Sequence, residues 1–591
     1  MSAIFGLIQR DSRPLATTDL DPMRVAMERR GPDGFSTSVS PDQQAAFGRL
    51  LFANTPEALH DTQPSYEAER GILFVAQGRI DNRSELAPML GLSDRTDVSD
   101  TEFIQRAYLK WEGEHLERLL GDWSLAAWHE RERRFFLARD PNGFTSMHFW
   151  SDDQQIAFST SKHGLLAHPA APRQLNLERY LLSAALIAED ARSTCHRNIF
   201  RLRSAHSLEI EEGRETERCY FDVADVPQVA YRSIGEAAEA MNAALEAATI
   251  ARLRTRDRVS LMLSGGLDSG AIASFAAPVI ASRGDSLLGL SQIPHYAHPP
   301  RGDERDLIAE TVRHVGGIES HLFDFAEHCP IRGADRFFEI LQEHPGMFPN
   351  AFWNLALYEI APRMGASVLL TGWRGNGSIS WDAGPRPTFG VFIRKHFGRA
   401  RLRRLFSKRE AETAIGLRLF QPEVIERYRL RERLLAERTG DPVQGRELEL
   451  ELGRGALLGI QSEIAAHQGI SLRDPTTDLR VLEIVLGMNH ALFHDRALIR
   501  TAMKERLPDT VRLNRQRGKQ SADLIARMIS QREQIDAILS AARDSKLARE
   551  TFDMAWLKGF AREALDHHDA PEIGGLLLNS IACVRGIDLL R

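Results

Sequence analysis

Cysteine is scarce: four residues in 591 (Cys195, Cys219, Cys329, Cys583), with no CxxC pair. That excludes a disulfide scaffold and a zinc ribbon, and it fits a reducing cytoplasm. Apolar runs of about 18 residues are missing, so no membrane-spanning helix is expected. The opening MSAIFGLIQR carries too short an apolar run for a secretory signal. An excess of one charge is missing too. The 75 Lys plus Arg stand against 81 Asp plus Glu, a net −6, which argues against a general nucleic-acid binder. Internal repeats and low-complexity tracts are absent. What is present, 43% hydrophobic and 26% charged residues, is the composition of an ordinary globular protein. The length calls for about two to four domain-sized units.

Two grammars divide the chain. Up to about Pro172, short β-type runs (Ala3–Ile8, Ala45–Leu51, Gly71–Val75, Trp123–Trp128, Arg134–Ala138) are split by turns such as Gly31-Pro32-Asp33-Gly34 and Asp140-Pro141-Asn142-Gly143. These predict a mainly antiparallel sheet layer. After about Arg232, apolar strands alternate with helices. Strands are expected at Val259–Leu263, Leu287–Ser291, His321–Phe325 and Ser367–Thr371, and helices at Asp268–Ser282, Asp303–Val315 and Asn350–Arg363. That alternation implies a parallel sheet covered on both faces, with ligands beyond the C-terminal ends of its strands. From about Arg394 onward the pattern reads as helical and rich in Arg and Glu.

The strongest chemical signal is Ser264-Gly265-Gly266-Leu267-Asp268-Ser269, which follows an apolar strand and opens a helix. Two glycines let successive N–H groups turn inward as an anion nest, and the helix N-terminus adds partial positive charge. Ser264 and Ser269 offer hydroxyls, so the loop suits a pyrophosphate. Asp268 beside phosphate would be repelled, and its presence suggests a bridging Mg²⁺. A plain glycine turn with Asp268 as a helix cap is the bland alternative. No Gly-Lys-Ser/Thr follows, so this is not a Walker loop. The string resembles the pyrophosphate loop of ATP pyrophosphatases, which adenylate a substrate.

Taken together, the motifs resemble the asparagine synthetase superfamily. In the first half they are Ile4-Phe5-Gly6, Arg30 to Gly34, Arg49-Leu50, Ser99 to Glu102 and Ala138-Arg139-Asp140. In the second half, Gly469 to Asp478 (GISLRDPTTD) is similar to the family's GVEARVPFLD, and Arg515 to Asp523 (RQRGKQSAD) to its basic loop. The resemblance implies an α/β plus α+β chain. Residues 1–210 would form a glutaminase-like, N-terminal-nucleophile type β-sandwich layered with helices. Residues 232–591 would form a parallel-sheet PP-loop synthetase of adenine nucleotide alpha hydrolase type, with a basic helical insertion at about 385–460. ATP and Mg²⁺ are the implied cofactors. Leu263, Ser264, Gly265, Gly266, Asp268, Ser269, Ser291 and Gly372 are the expected nucleotide contacts, with Asp268 on the metal.

Several departures from the family bear on function. Met1-Ser2-Ala3 replaces its Met-Cys-Gly, and a hydroxyl is a far weaker nucleophile than a thiolate. The glutamine-binding Asn-Gly-Glu reads Gln77-Gly78-Arg79 here, although Arg49 and Asp100, which match contacts to the glutamine carboxylate and amine, remain. Loss of glutamine hydrolysis is therefore expected. In the second half, the family's acidic SGEGSDE loop reads Thr371-Gly372-Trp373-Arg374-Gly375-Asn376-Gly377. Asn376 stands at a metal-binding Asp, so either Asp268 and the phosphates hold the ion or Asp382 shifts in. Arg374 could steady phosphate. Ser471 replaces a Glu that assists β-lactam closure, and serine is a poor base. Asp474 and Asp478 are alternative bases, although Asp478 also suits a helix cap. Glu304 reads as a catalytic candidate or as ordinary charge at a helix start.

Arg515, Arg517 and Lys519 form the basic loop. Arg517 or, with a slip of register, Lys519 stands where the family neutralises departing pyrophosphate. Two subgroups that lost the cysteine keep adenylation: β-lactam synthetases and lasso peptide cyclases. Gly375 to Trp381 resembles the latter. The activity implied is macrolactam closure, in which holding an amine next to an activated carboxyl contributes up to roughly 7–11 kcal/mol. Implied partners are a precursor peptide and, for lasso cyclases, a leader peptidase and a leader-binding protein, with neither nucleic acid nor membrane. Amide synthesis from ammonia or glutamine, β-lactam synthetase-like ring closure and a non-enzymatic scaffold are the alternatives. The stretch Phe392–Arg409 carries eight Lys/Arg and no acid, which suits an acidic peptide, a partner or a solvated helix.

Overall fold

The computed structural model describes the chain except residues 1, 12, 93–96, 115, 188–189, 296–302, 347, 385–415, 437–456, 517, 519 and 567–570. The N-terminal half holds two six-stranded sheets, both antiparallel in the pairs that form them. One is centred on Ala3–Gln9 and Ala45–Leu50, the other on Ile72–Ile80, Gly121–His129 and Arg134–Arg139. Alternation along the strands places Ile4, Phe47 and Phe158 of the first sheet against Leu73, Val75, Phe135 and Leu137 of the second. Helix Asp100–Trp111 covers the outer face of the second sheet through Phe103, Ile104 and Ala107. Met23, Met27 and Leu165 cover the first. The glycine of Ile4-Phe5-Gly6 has a packing reason: a Cβ there would collide with the rings of Phe158 and Phe47.

The C-terminal half is built on a parallel sheet. Helix α1 (Ile234–Arg252) leads into β1 (Arg258–Met262), α2 (Leu267–Ser282), β2 (Leu287–Gln292), α3 (Arg305–Val315), β3 (Ile318–Phe323), α4 (Pro330–Leu341), α5 (Ala351–Arg363) and β4 (Ala366–Leu370). Helix α6 (Leu458–His467), β5 (Ser471–Arg473) and α7 (Leu479–Gly487) follow. Strand order is β3-β2-β1-β4-β5, every pair parallel. The order reverses direction at β1, so the loop after β1 opens at the switch point, where open α/β sheets bind ligands. Helix α2 is buried along most of its length because its Ala-rich surface meets both the sheet and α1.

Three details differ from the sequence reading. Strand β3 lies at Ile318–Phe323, earlier than His321–Phe325, because Phe325 has φ +49° and has left the sheet. Helix α4 was not anticipated. Nor was β5, a three-residue strand inside a segment read as helical. The greater part of the expected basic insertion, including Phe392–Arg409, lies outside the described residues. No described helix is long and apolar enough to cross a membrane.

Candidate adenylation site

The loop Ser264–Ser269 is closed by its own serines. Ser264 N donates to Ser269 Oγ at 3.1 Å, the two hydroxyls are 3.0 Å apart, and Gly266 N donates to Ser264 Oγ at 3.2 Å. Gly266 caps α2. The loop opens on a cavity of about 950 Å³ lined by Leu263, Ser264, Gly265, Gly266, Asp268, Ser269, Glu304 and Gly372. Ser291, expected among these, does not line it, whereas its strand neighbours Leu290 and Gln292 do. Side chains alternate along a strand, and the Ser291 hydroxyl is buried without a partner.

Asp268 is cradled by two glycines of the 372–377 loop. A Cβ on Gly372 or Gly375 would press into its side chain. Burial raises the Asp268 carboxyl to about 6, while Ser380 and the Arg496 charge pull the other way. Its Oδ1 is buried and has no hydrogen-bond partner. Such an orphaned anionic acceptor is what a divalent cation would satisfy. Asn376 does not share that state: Arg496 Nη2 donates to its Oδ1 at 3.0 Å. Arg496 was not singled out from the sequence. It sits beside Asp495 with both residues at φ +55°, a conformation that costs of order 1–3 kcal/mol and concentrates at functional sites. Asp382 lines the cavity and accepts from Gly384 N at 3.0 Å.

The remaining carboxylates sort by partner. Asp474 accepts from Arg374 N at 3.1 Å and from Thr476 N at 2.9 Å, and so anchors the 372–377 loop. Asp478 caps α7 through Arg480 N and pairs with Arg252 at 2.7 Å. Neither lines the cavity, so their place as alternative bases is not borne out. Ser471 is buried in β5 and is also outside the lining. Glu304 does line it, and Gly265 N donates to its Oε2 at 3.2 Å. Arg517 and Lys519 lie outside the described residues, while Arg515 and Gly518 of the same loop face the cavity with Arg374, Arg496 and Arg500. The lining also has an aromatic, apolar and amide-bearing share: Phe337, Trp353, Asn354, Leu357, Leu458 and Gln461.

In the N-terminal half, the residues aligned with glutamine contacts are already engaged. Arg49 is paired with Asp61, both buried. Asp100 is held by Arg83 at 2.7 Å and by Arg254 at 2.8 Å. Arg79 lies between Asp81 (2.7 Å) and Asp122 (2.8 Å). Ser2 Oγ accepts from Phe52 N at 2.9 Å.

Residues 1–221 match the family profile described as a glutamine amidotransferase domain, and residues 240–575 match asparagine synthase. The chain belongs to the asparagine synthase family. It is 27% identical over 290 residues to asparagine synthetase [glutamine-hydrolyzing] 2 of Bacillus subtilis, covering 47% of this chain and 38% of that one. It is 23% identical over 360 residues to amidase chry2 of Gibberella zeae, covering 58% and 52%. Against the nodule asparagine synthetase [glutamine-hydrolyzing] of Pisum sativum the identity is 23% over 304 residues, covering 51% and 46%. The matched stretches thus span about half or less of these relatives. A solved glutamine PRPP amidotransferase from B. subtilis, complexed with ADP and GMP, overlaps 54% of this chain and 80% of its own at 12% identity. Its TM-score is 0.28, too low to carry an argument.

Proposed function

We propose that the chain is an ATP-dependent, AMP-forming ligase that closes an amide within one substrate, as lasso peptide cyclases do with a precursor peptide. A substrate carboxylate attacks the α-phosphorus of ATP, forming an acyl-adenylate and releasing pyrophosphate. An amine of the same molecule then attacks the acyl carbon, the C–O bond to AMP breaks, and the amine loses its proton. The observation that carries the reading is the shape and chemistry of the cavity. Besides the Ser264–Ser269 loop and its charged neighbours, the lining includes the uncharged Trp353, Phe337, Leu357 and Leu458. A free amino acid would need charged partners for both its ends, while a peptide segment needs apolar surface and amides such as Asn354 and Gln461. At about 950 Å³ the cavity is at the upper end of ligand-site volumes, with room for a substrate beside the nucleotide.

The chain's own residues would act as follows. Backbone N–H groups of Gly265, Gly266 and the start of α2 hold phosphate oxygens. Arg496, Arg515 and the basic-loop cations offset charge on the leaving pyrophosphate. Asp268 would hold a Mg²⁺, whose chemistry is to neutralise the phosphates. The engaged Arg49, Asp100 and Arg79 support an N-terminal half without glutaminase activity, so the amine belongs to the substrate. Asparagine synthetase-type amide formation, dependent on ammonia or glutamine, is the second reading, favoured by relatives named glutamine-hydrolyzing asparagine synthetases. Incubation with ATP and the candidate peptide separates the two by mass: ring closure removes one water without adding nitrogen, whereas amidation adds nitrogen.

A further inference from the structure

Glu304 is the residue before α3, but its side chain does not cap that helix. Instead it turns toward the Ser264–Ser269 loop and lines the cavity. Its Oε2 accepts from Gly265 N at 3.2 Å, and its Cβ and that of Leu307 lie where a Cβ on Gly265 would have to go. On the other side, a Cβ on Gly518 would overlap the Glu304 carboxylate. The carboxylate is therefore wedged between two glycines, one in the phosphate-type nest and one in the basic loop. Among the described residues, no Lys or Arg makes an ion pair with it. Burial raises its pKa, the Gly265 hydrogen bond opposes this, and Asp303 adds to the rise. An acid held this way in a nest built for anions does what a phosphate oxygen would do there.

Given the reading that this loop takes a triphosphate, we propose that Glu304 is an internal occupant of the phosphate nest which ATP displaces on binding, and that its departure frees Gly518. The triphosphate takes over the Gly265 N–H, and two anions cannot share that donor at close range. Once the carboxylate leaves, Gly518 is no longer braced against it. Nucleotide arrival and release of the Gly518 contact thereby become one event. Glu304 is on this account a positioning residue, and its effect appears in binding.

Calorimetric titration of the full chain with α,β-methylene-ATP plus Mg²⁺, and with inorganic pyrophosphate alone, tests this. Glu304→Ala should bind both ligands about tenfold more tightly, with Glu304→Gln between it and the wild type. Gly518→Ala forces the carboxylate off the nest and should also tighten binding, while the double variant should bind no more tightly than Glu304→Ala. Equal or weaker binding by both Glu304 variants, in the presence of wild-type binding, would overturn the displacement and leave the triphosphate reading standing. Weakening with the Mg²⁺-nucleotide alone would mark Glu304 as a metal ligand and also overturn it. No binding by any form would remove the triphosphate reading itself.

Discussion

Arg254, which follows α1, places its Nη2 2.8 Å from Oδ2 of Asp100 in the N-terminal half, while its Nη1 reaches Glu57 at 2.9 Å. The carboxylate aligned with a glutamine contact thus belongs to the junction between the two halves. Arg254→Met leaves Asp100 with Arg83 and strands Glu57. Because Arg254 keeps some solvent contact, the expected cost is about 2–3 kcal/mol rather than the full penalty of a buried pair. The midpoint of denaturant unfolding should fall, and an unchanged midpoint would show that the pair is not part of the junction's stability.

Glutamine chemistry should be beyond rescue by single changes. Ser2→Ala is expected to leave synthesis intact when the substrate carries its own amine. Arg79→Glu restores the family's carboxylate type but places a third acid beside Asp81 and Asp122, which are buried and paired with Arg79. The expected result is loss of folded protein, a destabilisation above about 4 kcal/mol. Glutamate release from glutamine by soluble Arg79→Glu protein would contradict this.

Acid should loosen the structure through particular carboxylates. Burial alone would raise Asp81, but Arg79 and Arg252 more than offset it and hold the group well below its usual range. Glu343 is likewise buried and held low by Lys162 and Arg201. For carboxylates depressed in the folded state, the stabilisation is complete above the unfolded value of about 4 and is lost as pH falls further. The share of the denaturant midpoint that Asp81 and Glu343 supply should hold from about pH 7 to 5 and drop below about pH 4. Lys162→Met should remove the Glu343 share and cost about 3–5 kcal/mol at neutral pH. A midpoint that rises with acid would have the sign wrong.

Asp268 moves in the opposite direction, since burial raises it to about 6. If its ionised form is needed, kcat/KM for ATP should fall on the acid side of about pH 6, because that parameter follows the free protein. Asp268→Asn should lower pyrophosphate exchange by at least about a hundredfold, in line with removal of a group facing developing charge. A flat profile between about pH 5 and 7 would place the titrating group elsewhere.

Much of the fold was legible because local patterns repeat it. The strand, glycine turn and helix around Ser264-Gly265-Gly266-Leu267-Asp268-Ser269 announce themselves, and the observed α2 begins one residue from the expected start. Helix α4 has a readable signal in Pro330 at its first position, then Ala334, Phe337, Phe338 and Leu341 at helical spacing. Strand β5 left none. It contains fully buried Arg473, whose Nη1 donates to the carbonyls of Arg252 and Arg254 at 2.7 and 2.8 Å, partners more than two hundred residues away. Separation in the chain likewise hid the Arg252–Asp478 pair, 226 residues apart, and the Arg496–Asn376 bond, 120 apart. Sequence spacing shows what neighbours do, and these contacts are made by folding.

The most direct test is the fate of ATP in the presence of a peptide with both a free amine and an acidic side chain. Adenylation at the Ser264–Ser269 loop predicts AMP and pyrophosphate, with carboxylate-dependent exchange of labelled pyrophosphate into ATP that Asp268→Ala abolishes. Production of ADP and inorganic phosphate, or exchange undiminished in that variant, would contradict the account.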